Sequence, residues 1–227
     1  AVRGGHDTDT VAAIAGGLVG ARWGVSAVPA AWQRILHGWP GLRSLDLVRL
    51  SSEVVSGKPS PESVDYSGYG DSSTIVRHPH DDGVWIGAVG ALDALPDEVD
   101  AVVSLCRVGS AQVPARIRER LEVRLIDRPE PEENLNLNFV LTDTADAIAV
   151  LRAEGHIVFL HCVQAQSRTP TVAALYAARH LGVPIERALA DVCAVLPMAN
   201  PNCGFREALR QLSSDTIDGD HSRWEKS

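Results

Sequence analysis

The sequence predicts an α/β fold with a mostly parallel central sheet flanked by helices, preceded by a short all-helical N-terminal segment. Three observations carry this. Short apolar runs rich in β-branched residues alternate with stretches of helical periodicity from about residue 84 onward. Such runs, apolar on both faces, suit strands of a parallel sheet covered by helices. The first fifty residues instead show Ala/Gly-rich helical patterning. Between the two lies SSEVVSGKPSPESVDYSGYGDSST, residues 51–74, where Ser, Gly, Pro and Asp dominate and periodicity is lost. That composition reads as a linker. The division is therefore 1–50, a linker over 51–74, a larger domain over 75–213 and a polar tail over 214–227.

In order along the larger domain, Val84-Trp85-Ile86 is the first apolar run, ended by Gly87. Ala101 to Leu105 is the second, after the acidic turn Pro96 to Asp100. Val123 to Ile126 is the third, and Ile157 to Leu160 the fourth and most apolar. Val140, Thr144, Ile148 and Leu151 recur at helical spacing, with Gly155 as the stop. After the fourth run Pro170 occupies a first-turn position, and Val172, Leu175 and Ala178 continue the helix to Gly182. Two further helices follow, Ile185 to Leu196 and Phe205 to Leu212.

Composition narrows the function classes. Hydrophobic residues make up 45% and charged residues 22%, so disorder is not the main state. Lys plus Arg number 21 and acidic residues 29, a net charge of 21 − 29 = −8. That balance argues against nucleic acid or an anionic membrane held by net charge, and leaves room for a local basic pocket. Four cysteines at 106, 162, 193 and 203 form neither a disulfide framework nor a zinc spacing, which points to a reducing cytoplasm. The longest apolar run, Val11 to Ala21, is 11 residues between Asp9 and Arg22, against the ~20 a membrane span needs. Asp7 and Asp9 stand where a signal peptide would carry basic residues. The chain opens on Ala1 rather than Met, which reads as a processed form or a piece of a longer protein.

The chemistry is concentrated in Phe159-Leu-His161-Cys162-Val163-Gln164-Ala165-Gln166-Ser167-Arg168-Thr169-Pro170. Five residues between Cys162 and Arg168 make a loop just long enough to curl around one phosphate. Its backbone N–H groups point inward as an anion nest, and the next helix adds its positive end. A thiolate is favoured over a thiol at such a place. The fork of Arg168 can hold two phosphate oxygens. Thr169 can donate to the sulfur or help the covalent intermediate leave, and His161 can orient the cysteine backbone.

This constellation resembles the His-Cys-x5-Arg-Ser/Thr signature of the cysteine-dependent phosphatases, the dual-specificity group in particular. Val84-Trp-Ile-Gly87 resembles that family's opening strand, and Asn200-Pro-Asn-Cys-Gly-Phe205 its Pro-Asn-x-Gly-Phe segment. The similarity spans about residues 83–212. It implies a phosphomonoester hydrolase acting through a cysteinyl-phosphate on a phosphorylated protein or small phosphoester, without a cofactor. Cys162 is then the nucleophile, and Val163 to Arg168 hold the phosphate. One position departs: the family's Gly three residues after the cysteine is Ala165 here. If φ is positive there, alanine costs about 1–2 kcal/mol.

A cysteinyl-phosphate also needs a proton donor for the leaving oxygen. The family places an Asp on the loop after the strand that precedes the long helix, and Asp127 fits that place. Its separation from Cys162, 162 − 127 = 35, is long for the family, and the insertion Pro129 to Glu133 explains the excess. Glu130, Glu132 and Glu133 are competitors. Arg107 could supply a second positive charge near the mouth, although a solvated loop arginine is the more ordinary reading. His78-Pro-His80-Asp81-Asp82 reads as a surface turn rather than a metal site.

Near the N-terminus, Gly4-Gly-His-Asp7-Thr-Asp9-Thr10 opens an Ala/Gly-rich helix. It resembles the C-terminal metal motif of the ADP-ribosylglycohydrolases over residues 4–50. The resemblance implies Asp7, Asp9 and Thr10 as oxygen ligands for Mg²⁺, with the family's other ligands missing from this chain. The ordinary alternative is a helix capped by Asp9. Two rivals to a phosphatase therefore stand: a phosphate-binding module weakened by Ala165, and an ADP-ribosyl hydrolase needing a complete domain and Mg²⁺.

Overall fold

The computed structural model describes residues 3, 5, 7–70 and 73–218, with side chains through residue 213. The motif residues Gly4 and His6 and the tail beyond 218 lie outside them. Backbone contacts divide the chain into two units, 1–60 and 61–227.

The first unit opens with α1 (Thr8–Trp23), whose N-cap is Asp7: its carboxylate accepts from the Thr10 N–H at 3.4 Å. The cap is thus Asp7 rather than Asp9, which sits in the first turn. A 3₁₀ turn (Val25–Ala27) and α2 (Ala30–Ile35) follow. The unit is not all-helical. Residues β1 (His37–Gly38) and β2 (Leu42–Arg43) form a two-residue antiparallel pair around the turn at Trp39 to Gly41. Helix α3 (Ser44–Ser56) then runs six residues into the stretch read as a linker and stops at Gly57, whose φ of 66° ends the helix in the left-handed region. Ser, Glu and Val at 51–55 supply ordinary helical positions once Gly and Pro are held back to 57 and beyond.

The second unit is built on a five-stranded sheet, in the order β3-β4-β7-β5-β6. Its strands are β3 (Ile75–His78), β4 (Asp81–Ala88), β5 (Ala101–Ser104), β6 (Glu119–Glu122) and β7 (Val158–Cys162). All pairings are parallel except the edge hairpin β3–β4. Helices α4 (Leu137–Ala153), α5 (Arg168–His180), α6 (Ile185–Val195) and α7 (Cys203–Asp218) complete the domain. The central strand β7 is buried along its whole length, as its apolar run requires, and α5 buries its first ten residues.

Two sequence readings are corrected here. The third strand is Glu119–Glu122, four residues upstream of the expected Val123–Ile126. Val123 and Leu125 are buried, but as the start of the connection that leaves the sheet. His78 is not on a surface turn. It is 2% exposed, with its ring nitrogen Nε2 3.1 Å from the Ala173 carbonyl of α5. His80 does face a carboxylate, Asp191 at 3.1 Å, but no group of three His, Cys, Asp or Glu that could hold a metal occurs among the described residues. None of the described helices is long and apolar enough to cross a membrane.

Candidate active site

Parallel strands deliver their C-terminal ends to one edge of the sheet, and the loops leaving those ends form the site. Cys162 is the last residue of β7 and is 1% exposed. The chain then turns through Val163 to Ser167 and enters α5 at Arg168. The helix aims its unsatisfied N–H groups and positive end back at this loop. Val163, Gln164, Gln166, Ser167 and Arg168 line a cleft of about 720 Å³.

Arg168 is pinned from two sides. One terminal nitrogen donates to the Leu105 carbonyl at 3.1 Å and the Leu125 carbonyl at 3.0 Å, the chain segments that leave β5 and β6. Its Nε is buried, makes no hydrogen bond, and lies 3.5 Å from a carboxylate oxygen of Asp127. A buried N–H that makes no hydrogen bond is costly, and the Asp127 carboxylate at 3.5 Å offsets this only in part. An anion oxygen in the cleft would supply the missing bond. Asp127 in turn accepts from the Asn202 side-chain amide at 3.0 Å, and the Asn202 backbone N–H donates to the Ser167 hydroxyl at 3.0 Å. Asn202 thereby couples the Cys162–Arg168 loop to the Asp127 loop.

His161 is fully buried. Its Nε2 is 2.7 Å from the Ser104 hydroxyl, and its Nδ1 faces the Cys162 carbonyl at 3.4 Å. Burial pushes its pKa down to about 4; the Cys162 carbonyl opposes this, and the charge of Arg168 adds to it. The neutral ring can donate from Nδ1 to the Cys162 carbonyl and accept from Ser104, which holds the residue before the loop in place. The Thr169 hydroxyl donates to the Gly87 carbonyl at 3.4 Å, tying α5 to β4.

Ala165 takes φ of 55°, the left-handed region, and is buried. The condition under which alanine there costs about 1–2 kcal/mol is met. Cys106 follows β5 and also lines the cleft, and burial pushes its thiol up to about 12. It therefore stays a neutral thiol at physiological pH.

Of the residues singled out from sequence, Arg168, Asp127, Val163, Gln164, Gln166, Ser167 and Arg107 share this one cleft, with Cys162 and His161 directly behind its loop. The acidic competitors Glu130, Glu132 and Glu133 are exposed and do not line it. Sequence reasoning missed Tyr66 and Tyr69, which form a wall of the cleft, and also Arg124 and Arg128. The Tyr66 hydroxyl donates to the Arg107 carbonyl at 2.7 Å, and the Gln164 amide donates to the Tyr69 carbonyl at 2.8 Å. The two tyrosine residues fell in the presumed linker, and an aromatic pair in a Gly/Ser-rich stretch was the signal that could have found them.

Known proteins share sequence and fold with this chain. Mouse (Mus musculus) dual specificity phosphatase 28 is 30% identical over 129 residues, which cover 56% of this chain and 78% of that protein. The chain belongs to the dual-specificity phosphatase family. Dual specificity protein phosphatase 1 of Arabidopsis thaliana is 31% identical over 90 residues, 40% of this chain. The match spans only 43% of that plant protein. Among solved structures, human DUSP28 superposes with a TM-score of 0.54 at 24% identity, covering 64% of this chain and 95% of that one. The fold is thus that of the dual-specificity phosphatases. The ADP-ribosylglycohydrolase family model matches residues 1–63. There, hydrogen bonding with Asp9 and then Thr10 holds the Asp7 carboxyl below the usual carboxylate range. Helix α1 buries none of its residues.

Proposed function

We propose that the second unit is a phosphomonoester hydrolase of the dual-specificity protein phosphatase type, working through a cysteinyl-phosphate. The observation that supports it is the convergence on one cleft of Arg168 and Asp127, whose carboxylate pairs with an Arg168 Nε that makes no hydrogen bond, at the loop that begins with Cys162. The Cys162 thiolate attacks phosphorus while the bond to the leaving oxygen breaks. Arg168 and the loop amides hold the equatorial oxygens, and Asp127 gives its proton to the leaving oxygen. A water then attacks phosphorus, Asp127 takes a proton from it, and the P–S bond breaks to release phosphate. Arriving phosphate competes with Asp127 for Arg168, which frees the carboxyl to face the leaving group. The electron bookkeeping of these two displacements calls for no metal. The substrate is a phosphorylated protein side chain: Tyr66 and Tyr69 offer ring surface at the mouth, and Arg107 and Arg128 offer positive charge. The four free cysteines suit a reducing cytoplasm. A panel of phosphopeptides and small phosphoesters, with Cys162→Ser as control, tests the proposal. Turnover that survives in Cys162→Ser removes the nucleophile.

One observation favours a second reading. The left-handed Ala165 burdens the loop, so a phosphate-binding module with slow turnover fits the same site. Tight phosphate binding together with turnover near the uncatalysed rate would select it. For the first unit, we propose that Asp7, Asp9 and Thr10 do no chemistry in this chain and that Mg²⁺ would matter only within a complete glycohydrolase domain.

A further inference from the structure

A left-handed, buried alanine persists only where its surroundings over-determine it. Among the described residues, Ala165 is the one non-glycine residue with positive φ. Its neighbours on both sides are tied from outside the loop. Behind it, the Gln166 carbonyl accepts from the Asn200 N–H at 2.7 Å and Ser167 from Asn202 at 3.0 Å. Ahead of it, the Gln164 side chain donates to the Tyr69 carbonyl at 2.8 Å. Tyr69 belongs to a strap, residues 61–70, that is itself anchored. The Pro61 and Glu62 carbonyls accept from Ser110 (3.1 Å) and Ala111 (2.9 Å). The Gln112 side chain bonds both the N–H and the carbonyl of Val64. Tyr66 closes on Arg107. At Gly109 the strap lies directly on the backbone, where a Cβ would come within 2.2 Å of the Glu62 oxygen.

We propose that the Tyr69–Gln164 hydrogen bond is a clasp that holds the phosphate loop in its anion-binding form with Ala165 left-handed. Gln164 and the strap are then positioning elements, distinct from the groups that touch phosphorus. Released from the clasp, Ala165 relaxes to negative φ and turns an adjoining amide away from the nest. Where a family member with glycine needs no such help, this chain supplies it from residues 61–70. The inference rests on the phosphate-binding part of the proposed function.

The test uses the full chain carrying Gln164→Met, which keeps the length of the side chain and removes its donor. Binding of inorganic phosphate by calorimetry, kcat/KM on p-nitrophenyl phosphate and the melting midpoint are measured together. Phosphate affinity and kcat/KM should both fall about 5- to 30-fold, the equivalent of the alanine strain, with the midpoint nearly unmoved. Adding Ala165→Gly should restore both, because glycine pays no penalty for positive φ. A purely structural role for Gln164 would lower the midpoint and leave nothing for Ala165→Gly to rescue. Unchanged phosphate affinity in Gln164→Met, or a loss that Ala165→Gly does not recover, overturns the clasp. Wild-type chain that binds phosphate without turnover overturns the enzymatic reading alone, and the clasp is still decided by phosphate binding. Wild-type chain that binds no phosphate overturns both.

Discussion

Both units carry family motifs, yet they treat those motifs differently. In the second unit the signature residues are part of the core: Cys162, His161 and Thr169 are each at most 1% exposed, and Arg168 is 9% exposed. In the first, the motif opens a helix with no buried residue, and Leu18 and Ile35 are 70% and 71% exposed. Helix α1 is apolar on every side, the pattern of a helix meant to be surrounded. One motif is thus held inside a packed core, and the other sits on a helix that buries none of its residues. Burial of the His-Cys-x5-Arg segment restricts the angles its side chains can take.

The largest effects should come from the residues that define this contrast. Cys162→Ser and Arg168→Ala should each lower turnover by several orders of magnitude, with EDTA without effect on the wild-type chain. Asp127→Asn comes next. General acid catalysis is worth about 10²–10⁴-fold, so alkyl phosphates should lose that much and aryl esters with acidic phenols less. Equal losses for both ester classes would move the role to another group.

How far the sequence reached follows from where the information is stored. The loop was legible because the five-residue spacing, the strand before it and the helix after it are all local. The position of Asp127 in the cleft followed from its place after a strand, even though that strand was put four residues late. The error arose because Val123 and Leu125 are apolar without being in the ladder, whereas Glu119 and Arg120 are in it at a sheet edge. The strap was not legible. Its anchors at Pro61, Glu62, Val64 and Tyr69 are backbone groups, which leave no trace in side-chain identity. His78 was misplaced for a related reason: its partner is a carbonyl 95 residues away.

An intermediate effect concerns stability and pH. His161 has a folded pKa of about 4 against an ordinary 6.5, and burial also lowers that of His78. Between these values the unfolded chain binds more protons than the folded one, so stability rises with pH across that window. The contribution is complete above about pH 6.5 and is lost as pH falls toward 4. It is worth up to roughly 3 kcal/mol for His161. The melting midpoint should drop over that range, and a flat profile would contradict a buried neutral ring.

The smallest effect should come from removing the first unit, and it divides the molecule most sharply. Deletion of residues 1–60 leaves the strap and all of its anchors in place, so kcat/KM should stay close to that of the full chain. Deletion of residues 1–70 also takes Tyr66 and Tyr69, and turnover should fall by about the 5- to 30-fold assigned to the clasp. The pair of truncations thus puts the functional boundary at the strap rather than at the end of the Ser/Gly/Pro-rich stretch. The same first unit should bind Mg²⁺ no tighter than about millimolar. Mg²⁺ demands near-octahedral oxygen ligation and gives up its waters reluctantly, and Asp7 already uses a carboxylate oxygen to cap α1. Calorimetry on the full chain measures this directly. Saturable micromolar binding, together with release of ADP-ribose from an ADP-ribosylated substrate, would show that the exposed motif is fixed well enough for chemistry and would erase the contrast between the two units.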